Sequence, residues 1–179
     1  VEYLDTLPVT VLSYDNIEAD DTIGYLAEQA LPKSKVVIMS TDKDFLQLAN
    51  GRVKIWSPSK KKMYDDESVF EEFGLKTIKK KLPFLSDNKI CNIDDIIKVL
   101  PDSKEIIERN YKLMQLHEVD ISGNTKTKII QKINEPINKL VKYKFEKMFL
   151  EDKLFTALPN VTSWLLTNFN QLNRYANKT

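Results

Sequence analysis

The sequence contains one cysteine and one histidine, Cys91 and His117. A lone cysteine excludes an intramolecular disulfide and suits a reducing compartment, so a cytoplasmic setting is expected. A structural zinc site draws four ligands from Cys and His, more than the chain holds. Any bound metal must then be held by oxygen, which points to magnesium, manganese or calcium. Apolar runs are short as well, and none approaches the ~20 residues of a membrane-spanning helix. Residues 1–10 show no basic region leading into an apolar one, so no signal peptide is expected in this stretch. They also lack an initiator Met, and further residues before Val1 are expected. No internal repeat and no Gly/Ser-rich linker interrupts the chain.

What remains is ordinary globular material. With 179 residues, 42% hydrophobic and 30% charged, the chain suits one domain or one compact body with a helical extension. The net charge is only +1, yet the sum conceals segregation. Lys60, Lys61 and Lys62, then Lys76, Lys79, Lys80 and Lys81, form two basic groups, while acids gather at 15–21 and 65–72. Such patches suit a basic surface beside an acidic pocket, although solvated lysines on exposed faces give the same pattern.

The texture divides the chain at residue 67. Before it, "VTVLSY" (9–14) and "KVVIMS" (35–40) read as buried strands. A helix is expected over 17–30, capped by Asp15 or Asn16 and broken at Pro32, and a short helix over 44–48. "RVKIWSP" (52–58) and "KKMYDD" (61–66) read as a strand and a hairpin arm. These elements give an α/β fold with a parallel or mixed sheet covered on both faces. Residues 68–179 read as mostly helical, with apolar residues at helical spacing in 94–100, 103–116, 133–155 and 158–175. "NVT" at 160–162 reads as a helix start. His117 reads as a surface polar group, Trp164 as a core or groove aromatic, and Tyr14 and Trp56 as packing residues.

Two acidic groups stand out: Glu18, Asp20 and Asp21 in "NIEADD", and Asp42 and Asp44 in "STDKDFLQL". Each follows an expected strand, so both are placed on the edge of the sheet where α/β folds bind ligands. Helix capping explains one or two acids at ~0.3–1 kcal/mol each. Five on one crevice repel one another, and a site that keeps several ionised normally holds a cation. Two Mg²⁺ ions ~3.5–4 Å apart are the usual apparatus of phosphodiester hydrolysis. Capping and metal binding both remain open on pattern alone.

"EADD", then "STDKDFLQL", "VKIWSP", "SPSKKKMYD" and "VFEEFG", resemble in order and spacing the 5′-nuclease superfamily of flap endonucleases and 5′–3′ exonucleases. "NYKLMQLHEVDISG" (110–123) and "EDKLFTALPNVTSWL" (151–165) resemble its phage branch, the ribonuclease H-type 5′ nucleases. The resemblance implies a PIN-like nuclease core over 1–67 and a helical C-terminal region over 68–179. It implies two Mg²⁺ ions, replaceable by Mn²⁺, held by Glu18, Asp20, Asp21, Asp42 and Asp44. It implies hydrolysis of branched, nicked or flapped DNA and of RNA–DNA hybrids, with removal of RNA primers or flaps in phage replication. A monomer is expected, with a single-stranded-DNA-binding protein or another replisome component as partner. Lys60, Lys61 and Lys62 at the hairpin, and Gly74, Lys76, Thr77, Lys79 and Lys80 in a helix–hairpin–helix remnant, are the candidate DNA contacts.

Three family features have no counterpart: a first strand with its metal-binding aspartate, the basic helical arch, and a "GDxSDN" segment leading into the glycine-rich hairpin. "GLKT" (74–77) resembles the tail of the last, as though two pieces were joined near Gly74. "LSDN" (85–88) lies after the basic helix without a Gly-Asp partner, and Asp87 is rejected as a ligand. The expectation is a sequence covering part of a longer protein. A PIN-type ribonuclease and a non-catalytic DNA-binding replication protein are the alternatives; the long helical tail argues against the first.

Overall fold

The computed structural model describes residues 1–73, 97, 102 and 104–176. The chain forms two compact units, one of Val1–Tyr14 with Gly123–Thr179 and one of Asp15–Ser122. The division read from texture at residue 67 separates kinds of secondary structure, whereas these units are defined by contact.

In the unit Asp15–Ser122, a turn with Asn16 at φ 59° leads into α1, Ala19–Tyr25. Asparagine tolerates this left-handed conformation better than most residues. Glu18 is the N-cap, so neither Asp15 nor Asn16 caps the helix, and its side chain makes no capping hydrogen bond. The last turn, Leu26–Ala30, widens until the Leu31 amide donates to the Leu26 carbonyl at 3.0 Å. Arg52 then caps the end: its Nη2 donates to the Ala27 carbonyl at 2.7 Å, and Nη1 to those of Leu31 and Ser34 at 3.1 and 3.2 Å. Carbonyls left without an intrahelical partner are satisfied by a cation, which also suits the negative end of the helix dipole.

The sheet is mixed, in the order β1-β2-β3, with β1 Val36–Met39, β2 Val53–Ser57 and β3 Lys62–Tyr64. β1 runs parallel to β2 with Val36 opposite Val53, and β2 antiparallel to β3 with Ile55 opposite Tyr64. Between β1 and β2, a 3₁₀ segment over Lys43–Leu48 buries Phe45, Leu46, Gln47 and Leu48. Two expectations are corrected. β1 is not covered on both faces: Ile38 is buried, but Val37 and Met39 are 60% and 73% exposed. This strand ends the sheet, and alternate side chains point away from the core. Residues 9–14 form no strand and lie half-exposed. Their β-branched composition suits a pleated surface, but a strand exists only when a ladder partner accepts it.

α2, Asp66–Phe73, starts from a reciprocal cap. The Ser68 amide donates to Asp65 Oδ1 at 3.1 Å, and the Asp65 amide donates to Ser68 Oγ at 2.8 Å. Hydrogen bonds from the Ser68 amide and hydroxyl, then from Lys54, hold the Asp65 carboxyl down at about 2. A depressed carboxyl stabilises the fold above its unfolded pKa, near 3.8, and the gain is lost as pH falls towards 2. Asp65→Ala should therefore cost about 1 kcal/mol at neutral pH. In urea titrations the difference from the parent should shrink between about pH 4 and pH 2. After α3, Lys104–Met114, the chain buries Leu116, Val119 and Ile121.

In the other unit, α4 is Gly123–Ile133, α5 Lys142–Glu151 and α6 Val161–Ala176. The helix expected over 133–155 begins only at Lys142; Pro136 lies within the non-helical approach, as its missing N–H and fixed φ require. Leu7, Phe145, Phe149 and Leu165 form the core, with Trp164 packed against it. The Phe145 ring lies 5.0 Å from Tyr3 and 6.0 Å from Trp164 between centroids. Asn160 starts α6, its Oδ1 accepting the Ser163 amide at 2.9 Å. The expected helix at 94–100, apart from Ile97, lies outside the described residues. Among the described residues no helix is long and apolar enough to cross a membrane.

Candidate active site

Both acidic groups belong to the unit Asp15–Ser122, on elements that pack together: the start of α1 and the segment Lys43–Leu48 after β1. Asp42 is the N-cap of that segment, its Oδ1 accepting the Asp44 amide at 2.9 Å, while its own amide donates to Ser40 Oγ at 3.0 Å. For Asp42, then, the capping explanation holds, whatever else the carboxylate does. At α1 it does not: Glu18 makes no side-chain cap, and Asp20 accepts only its neighbour's amide, from Asp21 at 3.2 Å.

Asp21 sits among other acids and is partly buried. Burial pushes its carboxyl above the usual range, followed by the negative charges of Asp20, Glu18 and Asp120. Asp120 was not among the sequence candidates, although it lies in the "HEVDISG" stretch that carries the resemblance. It arrives from the loop after α3, nearly a hundred positions along the chain, and only the tertiary fold brings it close to Asp21. The carboxylates are oxygen donors of the kind a hard cation takes. Their number falls short: among the described residues no three of His, Cys, Asp or Glu stand together closely enough to hold a metal ion. One premise behind the expected convergence of Asp42 and Asp44 with Glu18, Asp20 and Asp21 fails, since among the described residues no strand precedes Glu18.

Two further groups fix this region. Gln47 is buried and bridges distant backbone: its Nε2 donates to the Asp44 carbonyl at 2.8 Å, and its Oε1 accepts the Leu116 amide at 2.9 Å. His117 is not a surface group; its side chain is 18% exposed, with Nδ1 3.4 Å from Glu28 Oε2. Glu28 in turn lies 3.8 Å from Arg52 Nη2.

Of the candidate DNA contacts, Lys60 and Lys62 are both paired with Glu72. Lys61 occupies the hairpin turn at φ 50°. Gly74, Lys76, Thr77, Lys79, Lys80 and Lys81, with the expected junction at Gly74, lie outside the described residues, as does Asp87.

Residues 1–74 match the family model described as 5′-3′ exonuclease, N-terminal resolvase-like domain. The chain is 34% identical to a 5′-3′ exonuclease of Aquifex aeolicus, over 62% of this chain and 39% of that protein. It is 28% identical to Flap endonuclease Xni of Pseudoalteromonas translucida, over 70% of this chain and 51% of that one. A 5′-3′ exonuclease of Buchnera aphidicola subsp. Acyrthosiphon pisum is 28% identical over 89% of this chain and 59% of its own length. The chain thus spans between 39% and 59% of these relatives. No solved structure matches. The two acidic groups and the mixed sheet lie inside the matched residues, and this part of the chain is similar to the N-terminal domain of 5′-3′ exonucleases.

Proposed function

We propose that the protein is a structure-specific 5′ nuclease that hydrolyses phosphodiesters in flapped, nicked or branched DNA and in RNA–DNA hybrids. The observation that supports this reading is that Glu18, Asp20 and Asp21 stand at the start of α1, and Asp42 and Asp44 at the start of the segment after β1. These two elements pack on each other within the family-matched residues. The relatives' names, 5′-3′ exonuclease and flap endonuclease, support the same class of reaction. Divalent-metal dependence, with Mg²⁺ or Mn²⁺, belongs to the proposal because every candidate ligand is a carboxylate. The described carboxylates do not by themselves complete a seat for two ions. Removal of RNA primers or flaps during replication, in a phage or in a cell, is the role this chemistry would serve, with a replisome component as protein partner and a monomer as the acting species.

The second reading is a non-catalytic nucleic-acid-binding protein that keeps the same fold. A 5′-labelled flap duplex separates the two. The nuclease should release short 5′ products with Mg²⁺ and none with EDTA. Binding of the duplex without cleavage in Mg²⁺ or Mn²⁺ would establish the second reading instead.

A further inference from the structure

At the β2–β3 hairpin, three donors surround one carboxylate. Lys60 Nζ lies 2.6 Å from Glu72 Oε1 and Lys62 Nζ 2.7 Å from Oε2. The Tyr64 hydroxyl reaches both oxygens, at 3.1 and 2.9 Å. Both ammonium groups also stand over the Tyr64 ring, 5.7 and 4.8 Å from its centroid. Such cation–π contacts favour this placement whether or not an anion is present.

The donors and the acceptor are held differently. Tyr64 is 2% exposed and locked opposite Ile55, and Lys62 opposite Ser57, by the register of the hairpin. Glu72 comes from α2. A glutamate rotamer change alone withdraws the carboxylate. Lys60 and Tyr64 also line a pocket together with Ser40, Asp42, Ser57 and Ser59. Two of the three donors, Lys60 and Tyr64, therefore share a pocket with the capping aspartate of the candidate active site. Two ammonium groups and a phenol around a pair of oxygens sharing one negative charge make a general oxyanion seat. The non-bridging oxygens of a phosphodiester present the same charge and the same two acceptors.

We propose that Lys60, Lys62 and Tyr64 form a phosphodiester cradle at the mouth of the Asp42 pocket, and that Glu72 fills it as an internal competitor which backbone phosphate must displace. The substrate class rests on the nuclease reading; the cradle rests on the geometry alone. The competitor is charged at working pH: burial raises the Glu72 carboxyl, but hydrogen bonds from Lys60, Lys62 and Tyr64 outweigh this and hold it at about 2. Displacement is accordingly driven by phosphate and not by protonation.

Glu72→Gln tests the cradle, because glutamine keeps the side chain's length and removes its charge. Inorganic phosphate titrated against the 179-residue chain, followed by the NMR signals of the Lys60, Lys62 and Tyr64 side chains, should bind the variant at least about tenfold more tightly than the parent, a gain of about 1.4 kcal/mol. Adding Lys60→Gln and Lys62→Gln should abolish the gain. Nucleic-acid binding by Glu72→Gln should become steeper in salt, by up to about 1.8 in slope for two newly available phosphate contacts. No gain in phosphate affinity, or a gain that survives loss of both lysines, would overturn the cradle. A phosphate gain with an unchanged nucleic-acid slope would overturn its use for a substrate backbone. If the variant gains phosphate while neither protein binds nucleic acid, the cradle stands and the nuclease reading falls.

Discussion

Gly24→Ala is expected to destabilise the protein by about 3 kcal/mol or more, although glycine-to-alanine inside a helix ordinarily stabilises by about 1 kcal/mol. A Cβ at Gly24 would stand 2.6 Å from the Leu116 carbonyl oxygen and 3.3 Å from both Leu116 Cβ and Val119 Cγ1. The first contact is with backbone, so no side-chain rotation relieves it. Nor can the backbone yield freely, because the Leu116 amide is tied to Gln47 Oε1 at 2.9 Å and the Leu116 side chain is 3% exposed. Either α1 moves off residues 116–119 or the Gln47 bond breaks, leaving a buried amide unpaired at about 1–3 kcal/mol. Urea denaturation measures the effect directly. An alanine variant as stable as the parent would mean that α1 does not approach Leu116 this closely.

Asp42→Asn should lower the cleavage rate about a thousandfold, equivalent to about 4 kcal/mol of transition-state stabilisation, while leaving stability almost unchanged. Asparagine caps a helix about as well as aspartate. Its side-chain oxygen can keep the bond now made with the Asp44 amide at 2.9 Å. The substitution thus removes the negative charge and spares the cap. Asp42→Ala removes both, and should lose about 1 kcal/mol of stability as well. Steady-state cleavage of a flap substrate beside thermal melts separates the two roles. If Asp42→Asn cuts at the parent rate, Asp42 is a cap and nothing more.

Much of the local structure was legible because it depends on neighbours in sequence. The apolar run at 36–39, the polar turn before Lys62 and the helical spacing over 104–114 and 161–176 each specify their element with little help. What failed depended on partners. Residues 9–14 have strand composition, but no ladder takes them up. Met39 looks like a core residue and is 73% exposed because it points to the face of the strand opposite buried Ile38. Pro136 was the available signal against a helix through 133–141. At the site, the two acidic groups were plain in the sequence, and even the ambiguity between cap and ligand was visible. Asp120 and Gln47 were not, since their roles exist only once the chain after α3 returns to α1 and to the segment Lys43–Leu48. Glu72 was hidden for the opposite reason: an acid on an amphipathic helix carries no mark of which lysines it will meet.

The bond between Gln47 and Leu116 spans 69 residues. Gly24 closes against the same leucine. On a ribosome, where residues emerge at about 5–20 per second, the acids at 18–21 and 42–44 are outside the exit tunnel several seconds before the stretch that braces them. During that interval the segment holding Asp42 lacks its buried anchor, and the helix holding Asp21 lacks its floor. Bracing of the two acidic groups is therefore a late event set by the arrival of Leu116. The nascent chain carries its candidate catalytic groups well before it can hold them in place.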